Sequence, residues 1–409
     1  MQFRFAHPDE VPSVARLVAH SFIGRTTDHW AEQLRDPPHG GGAETLLVAV
    51  AHDRPVAALQ LHPLRQWIGG SALPMAGIGT VTVSPTHRQQ GLAAELMERA
   101  LRAAVERGDV ASALYPFRIS FYQKLGYGLA GEVLQYLVSP ASFMGTDERE
   151  RVELLDAPDA LAAALRLYGE WIRGQTGHIE RSTGAWARQC ATPDTGVIGY
   201  RNARGQLEGY AFVTYRADVP LDRRFLDVNE MVWTTAAARS GLYGWLSSLG
   251  DQWQRIVIRG PRSHHLAEIV GDPRLPSGTV PGWGLWKAAG VQLTGPMFRL
   301  LDLPAAWAAR RTAASEAMNV TLEIHDEQLN ENSGSWTLNI DREKAHMERG
   351  AKGKWTMRLD ISTLSRLFIS ALHPTVAYQA GLLACDRPEQ LPALDAALLL
   401  PEPWMFDRF

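Results

Sequence analysis

The chain has 409 residues, 45% of them hydrophobic and 21% charged, with a formal net charge of -3. At roughly 100–200 residues per domain this length suggests about two to four domains, with enough apolar material for more than one core. The near-neutral charge excludes a global electrostatic case for nucleic acid or an anionic membrane as partner, and two distant cysteines, Cys190 and Cys385, exclude a disulfide scaffold or a structural zinc site.

The segment from Met1 to Pro8 lacks the apolar core of a signal peptide, and no run reaches the roughly 20 apolar residues of a membrane span. A cytoplasmic setting is the resulting expectation. Residues 9–22 read as a helix, with Val14, Leu17, Val18 and Phe22 at helical spacing. Residues 46–50 and 55–61 read as two strands around the turn His52-Asp53-Arg54, and residues 78–83 as a third. Residues 91–107 are helical, 111–114 a short strand, 121–128 a helical turn closed by glycine, and 133–138 another strand.

The second third repeats the plan. Residues 207–215 form a strand pair with the turn Asn202–Gly205, 228–233 a strand and 241–249 a helix. Aligning residues 81–92 with 231–242 superposes a strand, a breaker and a Gly-Leu pair, which reads either as a diverged internal duplication or as coincidence. Residues 261–296, rich in Gly and Pro, suggest long loops with short strands. After Leu303-Pro304 the character changes: an Ala-rich helix over 305–318, alternating strands at 320–324 and 336–340 with a turn at 330–335, a strand at 355–359, and helices at 361–371 and 388–399. This is expected to be a separate α+β module.

The segment that carries chemistry is a strand followed by Arg88-x-x-Gly91-x-Ala93 and a helix. The first backbone N–H groups of a helix have no intrahelical partners, and the helix dipole favours an anion there. Gly91, Ala93 and Ala94 let a phosphate approach the backbone, and Arg88 adds charge. The edge of Val81-Thr82-Val83 can pair with an amide-bearing arm like an added strand. The adjacent His264-His265 makes a poor chelate, since neighbours on an extended segment face opposite ways; no metal site is expected.

The run Val81–Ala94 resembles the acetyl-CoA motif of the Gcn5-related N-acetyltransferase (GNAT) superfamily, Arg/Gln-x-x-Gly-x-Gly/Ala, and Phe121–Gly128 resembles its tyrosine-bearing turn. The whole-chain plan resembles the enhanced intracellular survival (Eis) acetyltransferases. That resemblance covers nearly the full length and is carried also by Arg299–Pro304 and the aromatic C-terminus. It implies an α/β (α+β) fold: tandem GNAT domains at 1–140 and 141–296, mixed sheets flanked by helices, the second degenerate, then a sterol-carrier-protein-like α+β domain at 297–409. It implies an acetyl-CoA-dependent N-acetyltransferase, with the cosubstrate held by Val81, Thr82, Val83, Arg88, Gln89, Gln90, Gly91, Leu92, Ala93 and Ala94, and further by Phe117 and Arg118.

Tyr122 matches the family's general acid, and a phenol with a pKa of about 10 can give a proton to a departing thiolate. Tyr127 is the rival, read as a packing aromatic. The carboxylate of Phe409 matches the family's general base; a tail with three aromatics in its last six residues is expected to dock rather than trail in water. The oxyanion would be met by a backbone N–H near Val83. The implied acceptor is a primary amine of a small aminoglycoside-like molecule or of lysine, although Arg408 and Arg25 speak against a polycation. A homohexamer is also implied. The middle domain departs from the motif, with Ala238 opposite Arg88 and Tyr243 opposite Ala93, so it is expected not to bind CoA. The reading from another class is a non-catalytic carrier of a lipid or apolar ligand in the third domain.

Overall fold

In the computed structural model, residues 1–216, 224–272, 274 and 289–409 are described. Residues 273 and 275–288 of the expected Gly/Pro-rich loop region lie outside them. Three sheets organise the chain. In order along the sequence come β1 (Gln2–Phe5), α1 (Val11–Ala19), α2 (Thr27–Arg35), β2 (Leu46–Ala51), β3 (Arg54–Ile68), β4 (Ser71–Val83), α3 (Leu92–Arg107), β5 (Ala111–Leu114), α4 (Ile119–Gln123) and β6 (Gly128–Leu129). Then follow β7 (Glu132–Val138), β8 (Val152–Leu154), α5 (Pro158–Trp171), α6 (Thr183–Cys190), β9 (Thr195–Arg201), β10 (Leu207–Arg216), β11 (Phe225–Trp233), α7 (Ala236–Ser247), β12 (Arg255–Gly260), α8 (Leu266–Ile269) and β13 (Val291–Thr294). The last part holds β14 (Met297–Leu300), α9 (Leu303–Ala309), β15 (Met318–His325), β16 (Gly334–Ile340), β17 (Ala345–Arg349), β18 (Thr356–Asp360), α10 (Ile361–Phe368), α11 (Pro374–Gln379), β19 (Leu383–Cys385) and α12 (Leu391–Ala397).

The first sheet runs β1-β2-β3-β4-β5-β14-β6, and the second runs β13-β7-β12-β11-β10-β9-β8. Read from opposite ends these are one topology. β4 and β5 are the parallel pair of the first sheet, joined through α3; β11 and β12 are the parallel pair of the second, joined through α7. In each sheet the sixth strand stands out of sequence order. β7 joins the second sheet against β12, and β14 returns to the first between β5 and β6.

The chain therefore divides differently from the boundaries expected at 140 and 296. One compact unit comprises residues 1–131, 175–180 and 296–409; the other comprises residues 132–174 and 181–295. Within the first unit the third sheet, β17-β16-β15-β18-β19, shares a core with the first. Leu73, Met75 and Phe298 pack with Trp307, Leu322, Leu338 and Phe368 in one buried cluster. The apolar face of the third module is thus spent on packing within its own unit.

The hairpin β3–β4 is longer than expected, turning at Gly69-Gly70, both at positive φ. The Ala-rich helix expected over 305–318 ends at Ala309. The reason is Arg310, 1% exposed, whose guanidinium donates to the carbonyls of Phe368, Arg311 and Leu398. Three backbone acceptors from separate segments outweigh local helix propensity. The helices expected over 361–371 and 388–399 are shorter, at Ile361–Phe368 and Leu391–Ala397.

Candidate active site

β4 and β5 pair only from Met75↔Ala111 to Ile78↔Leu114. Beyond that point they part. β4 continues to Val83 with no paired strand on that side among the described residues, while the chain after β5 turns through Phe117 and Arg118 into α4. The opening is a cavity of about 590 Å³. Val81, Thr82, Val83, Arg88, Gln89, Gly91, Leu92, Ala93, Ala94, Phe117 and Arg118 line it, all residues that the motif reading selects. Gln90 is not among the lining residues. Ser21, Phe22, His87 and Phe121 line it as well. Ser21 comes from just after α1, and its Oγ lies 2.5 Å from Oγ1 of Thr82, a tie no local pattern announces.

The floor of the cavity is the start of α3. Its N-cap, Gly91, sits at φ +80 with no side-chain cap, and a Cβ there would meet nothing within 4 Å. Gln89, at φ +62, completes a left-handed turn. A helix of 16 residues thus presents uncapped backbone N–H groups to an open, partly apolar space, with Arg88 beside it. That arrangement can hold an anionic head group close to the backbone.

The described residues of the second unit lack this arrangement. α7 starts only two residues after β11, and its N-terminus is capped by the Thr235 hydroxyl, which accepts from Ala238 N at 3.1 Å and donates to Glu208 at 2.9 Å. The matched Gly241 lies inside α7, not at its start, so the Gly-Leu pairing of residues 91 and 241 is not a structural equivalence. Tyr243 is buried and stacked on Phe143.

Tyr122 stands behind the cavity wall, its ring edge-on to Phe117 at 5.4 Å and to Phe121 at 4.9 Å. It is 2% exposed, and its hydroxyl makes no hydrogen bond among the described residues. Burial, then the neighbouring Tyr127, pushes its pKa above the ordinary phenol value. Tyr127 is completely buried and tied to Ser112 Oγ at 2.7 Å; burial pushes it up to about 12. That geometry is structural. The turn after Tyr122 is held by Arg299, which donates to the Leu125 carbonyl at 2.6 Å and fills the space over Gly126.

The tail docks. Trp404 N donates to the Thr176 carbonyl at 3.1 Å, Tyr115 donates to the Asp407 carbonyl at 2.7 Å, and His39 Nε2 lies 3.2 Å from the Arg408 carbonyl. The Phe409 ring rests on Gly77, and its carboxyl group lies over Gly79, where a Cβ would stand 3.1 Å from the carboxyl carbon. Between Gly79 and the cavity-lining Val81 lies a bulge in β4, with Thr80 at φ +49. Gly77-x-Gly79 inside a strand was the available signal for such close approach. Neither Tyr122 nor Phe409 lines the cavity itself.

Comparisons with known proteins agree with this architecture. Two acetyltransferase (GNAT) domain models match, over residues 2–130 and 177–300, and a sterol carrier protein domain model matches residues 303–406. The N-acetyltransferase Eis of Mycobacterium tuberculosis (strain H37Ra) is 25% identical over 402 residues, 95% of this chain and 94% of the relative. An uncharacterized N-acetyltransferase of Streptomyces avermitilis is 26% identical over 367 residues, covering 84% and 82%. Among solved structures, a GCN5-related N-acetyltransferase from Anabaena variabilis superposes with a TM-score of 0.85 at 20% identity, and Eis1 from Mycobacterium abscessus with 0.80 at 20%, each covering 100% of both chains. At that identity the structures speak for the fold. An acyltransferase enzyme, not a non-catalytic carrier, is what the sequence relationships support. No described helix is long and apolar enough to cross a membrane. The chain is an Eis-like N-acetyltransferase of the GNAT superfamily, two GNAT domains followed by a sterol carrier protein domain.

Proposed function

We propose that the chain moves an acetyl group from acetyl-CoA to a primary amine by direct attack, at the cavity between β4 and α3. The observation that carries this reading is the uncapped start of α3 facing the free edge of β4, with the Tyr122 turn at one wall and the Phe409 carboxyl over the adjoining residue Gly79. The donor set fits acetyl-CoA. Backbone N–H groups at Gly91–Ala94 and the Arg88 guanidinium suit the pyrophosphate, and the unpaired edge of Val81–Val83 suits the pantetheine amides.

Bound acetyl-CoA supplies the thioester. The Phe409 carboxylate takes a proton from the amine nitrogen. A backbone N–H on the free side of β4, near Val83, holds the oxyanion. The Tyr122 hydroxyl gives its proton to the leaving sulfur, and its raised pKa keeps it protonated across neutral pH. No acyl-enzyme is needed, and both cysteines are poor nucleophiles: burial, then Glu230, pushes Cys190 up to about 11 and burial raises Cys385.

The middle domain does not bind CoA, a reading supported by the capped start of α7. The acceptor is a small-molecule amine or a lysine. Arg408 and Arg25 argue against a strongly cationic one. A homohexamer acting in the cytoplasm completes the proposal, on family resemblance alone. The test is free-thiol release from acetyl-CoA with aminoglycosides, polyamines and lysine peptides as acceptors. Release that falls roughly 10²-fold or more in Tyr122→Phe is expected. Failure of the protein to bind acetyl-CoA overturns the reading.

A further inference from the structure

Gly79 has no side chain, and three atoms crowd the place a Cβ would occupy. The Phe409 carboxyl carbon would be 3.1 Å away, His62 Nε2 3.2 Å and the Phe409 oxygen 3.3 Å. The imidazole of β3 and the terminal carboxyl therefore face one small space over β4. His62 is 4% exposed, and its Nδ1 is buried with no hydrogen-bond partner among the described residues. A neutral imidazole carries one proton. Placed on Nδ1, that proton would make a buried, unsatisfied donor; placed on Nε2, it faces an anion.

The surroundings keep the ring neutral. Burial, then His39, then Arg107 push its pKa down to about 3, and the Phe409 carboxyl facing Nε2 acts in the opposite sense. The His39 ring lies 5.9 Å away, and Tyr115 packs on the Phe409 ring at 5.9 Å. Arg107 donates to the carbonyls of Leu61 at 3.1 Å and His62 at 3.3 Å, and is itself paired with Asp109 at 2.7 Å. The Phe409 ring meets that of His62 edge-on at 6.4 Å.

We propose that His62 is a positioning residue for acetyl transfer, its Nε2–H holding the Phe409 carboxylate over Gly79 beside the bulge of β4. The assignment rests on the reading of that carboxylate as the base. A donor at Nε2 fixes one carboxylate oxygen and leaves the other for the amine proton. Gln, whose amide nitrogen reaches about as far as Nε2, can replace it; Leu cannot.

The experiment uses the full chain in the thiol-release assay, with four forms: the natural chain, His62→Leu, His62→Gln, and the chain extended by one residue to move the carboxylate. Expected is a roughly 10- to 100-fold loss of kcat in His62→Leu, the size of one hydrogen bond to a charged group. KM for acetyl-CoA should be unchanged and most of kcat restored in His62→Gln. In the extended chain, His62→Leu should cost nothing more. An equal loss in the extended background overturns the proposal, because His62 then acts apart from the carboxylate. An extended chain that keeps full activity removes the base reading itself. A separate readout needs no variant: 15N chemical shifts of labelled histidine should show His62 as the neutral Nε2–H tautomer from pH 5 to 8. An Nδ1–H tautomer or an imidazolium in that range overturns the proposal.

Discussion

Arg299 donates to both carboxylate oxygens of Asp326 at 2.8 Å, and both side chains are fully buried. Arg299 stands on β14 of the first sheet and Asp326 just after β15 of the third, so the pair joins two modules of one unit. The same guanidinium holds the Leu125 carbonyl, and Asp326 also accepts from the side chain of Asn332 at 3.1 Å. Removing one partner strands a buried charge. Asp326→Ala is expected to lower stability by about 3–5 kcal/mol, read as a fall in the denaturation midpoint. The double change Arg299→Met with Asp326→Leu should recover most of it but still loosen the Tyr122 turn, lowering kcat in a folded protein.

Gly77 and Gly79 form the seat of the tail. An added methyl at Gly77 would lie 2.8 Å from the Phe409 ring and 2.5 Å from Leu64. Gly77→Ala and Gly79→Ala are expected to displace residues 407–409, with an overpacking cost of about 1–3 kcal/mol. Carboxypeptidase should then release Phe409 faster than from the natural chain, and thiol release should fall in parallel. A tail that stays resistant in both variants would contradict the seating.

Gly91→Ala separates strain from crowding. The position is at φ +80, and a Cβ there meets nothing within 4 Å. The variant should lose only about 1 kcal/mol of stability from the left-handed backbone. If the start of α3 holds the pyrophosphate, KM for acetyl-CoA should rise well beyond what that small loss explains. An unchanged KM would move the phosphate site elsewhere.

His62 sets a pH dependence of stability. Its folded pKa is depressed from 6.5 to about 3, first by burial. The unfolded chain therefore binds the extra proton at a higher pH than the folded one. The contribution is complete above pH 6.5 and is lost as pH falls toward 3, at about 1.4 kcal/mol per pH unit. Denaturation midpoints between pH 7 and pH 5 should fall less steeply in His62→Gln than in the natural chain.

Read from the sequence alone, the strand–loop–helix at residues 81–94 is legible because its signals are local. An apolar run, a proline break, Arg88 and Gly91 all lie within residues 81–91, and the propensities there agree with the final structure. The apolar tail was legible for the same reason. The failures share a cause too. Residues 305–318 look helical, yet Arg310 must reach carbonyls of Phe368 and Leu398, and the helix stops at Ala309. Residues 231–242 look like residues 81–92, yet the helix starts after Thr235 and closes the place where an anion would sit.

Local periodicity and turn chemistry thus determined which segments are strands and helices, and which loop can face a phosphate. Only the tertiary structure decided that β14 returns to the first sheet between β5 and β6, that the third module closes its apolar face on that sheet, and that His62, Gly79 and Phe409 meet. Those relationships join residues far apart in the chain. Long-range strand pairing, burial and the satisfaction of buried charges select them, and none of these leaves a periodic mark on the residues involved.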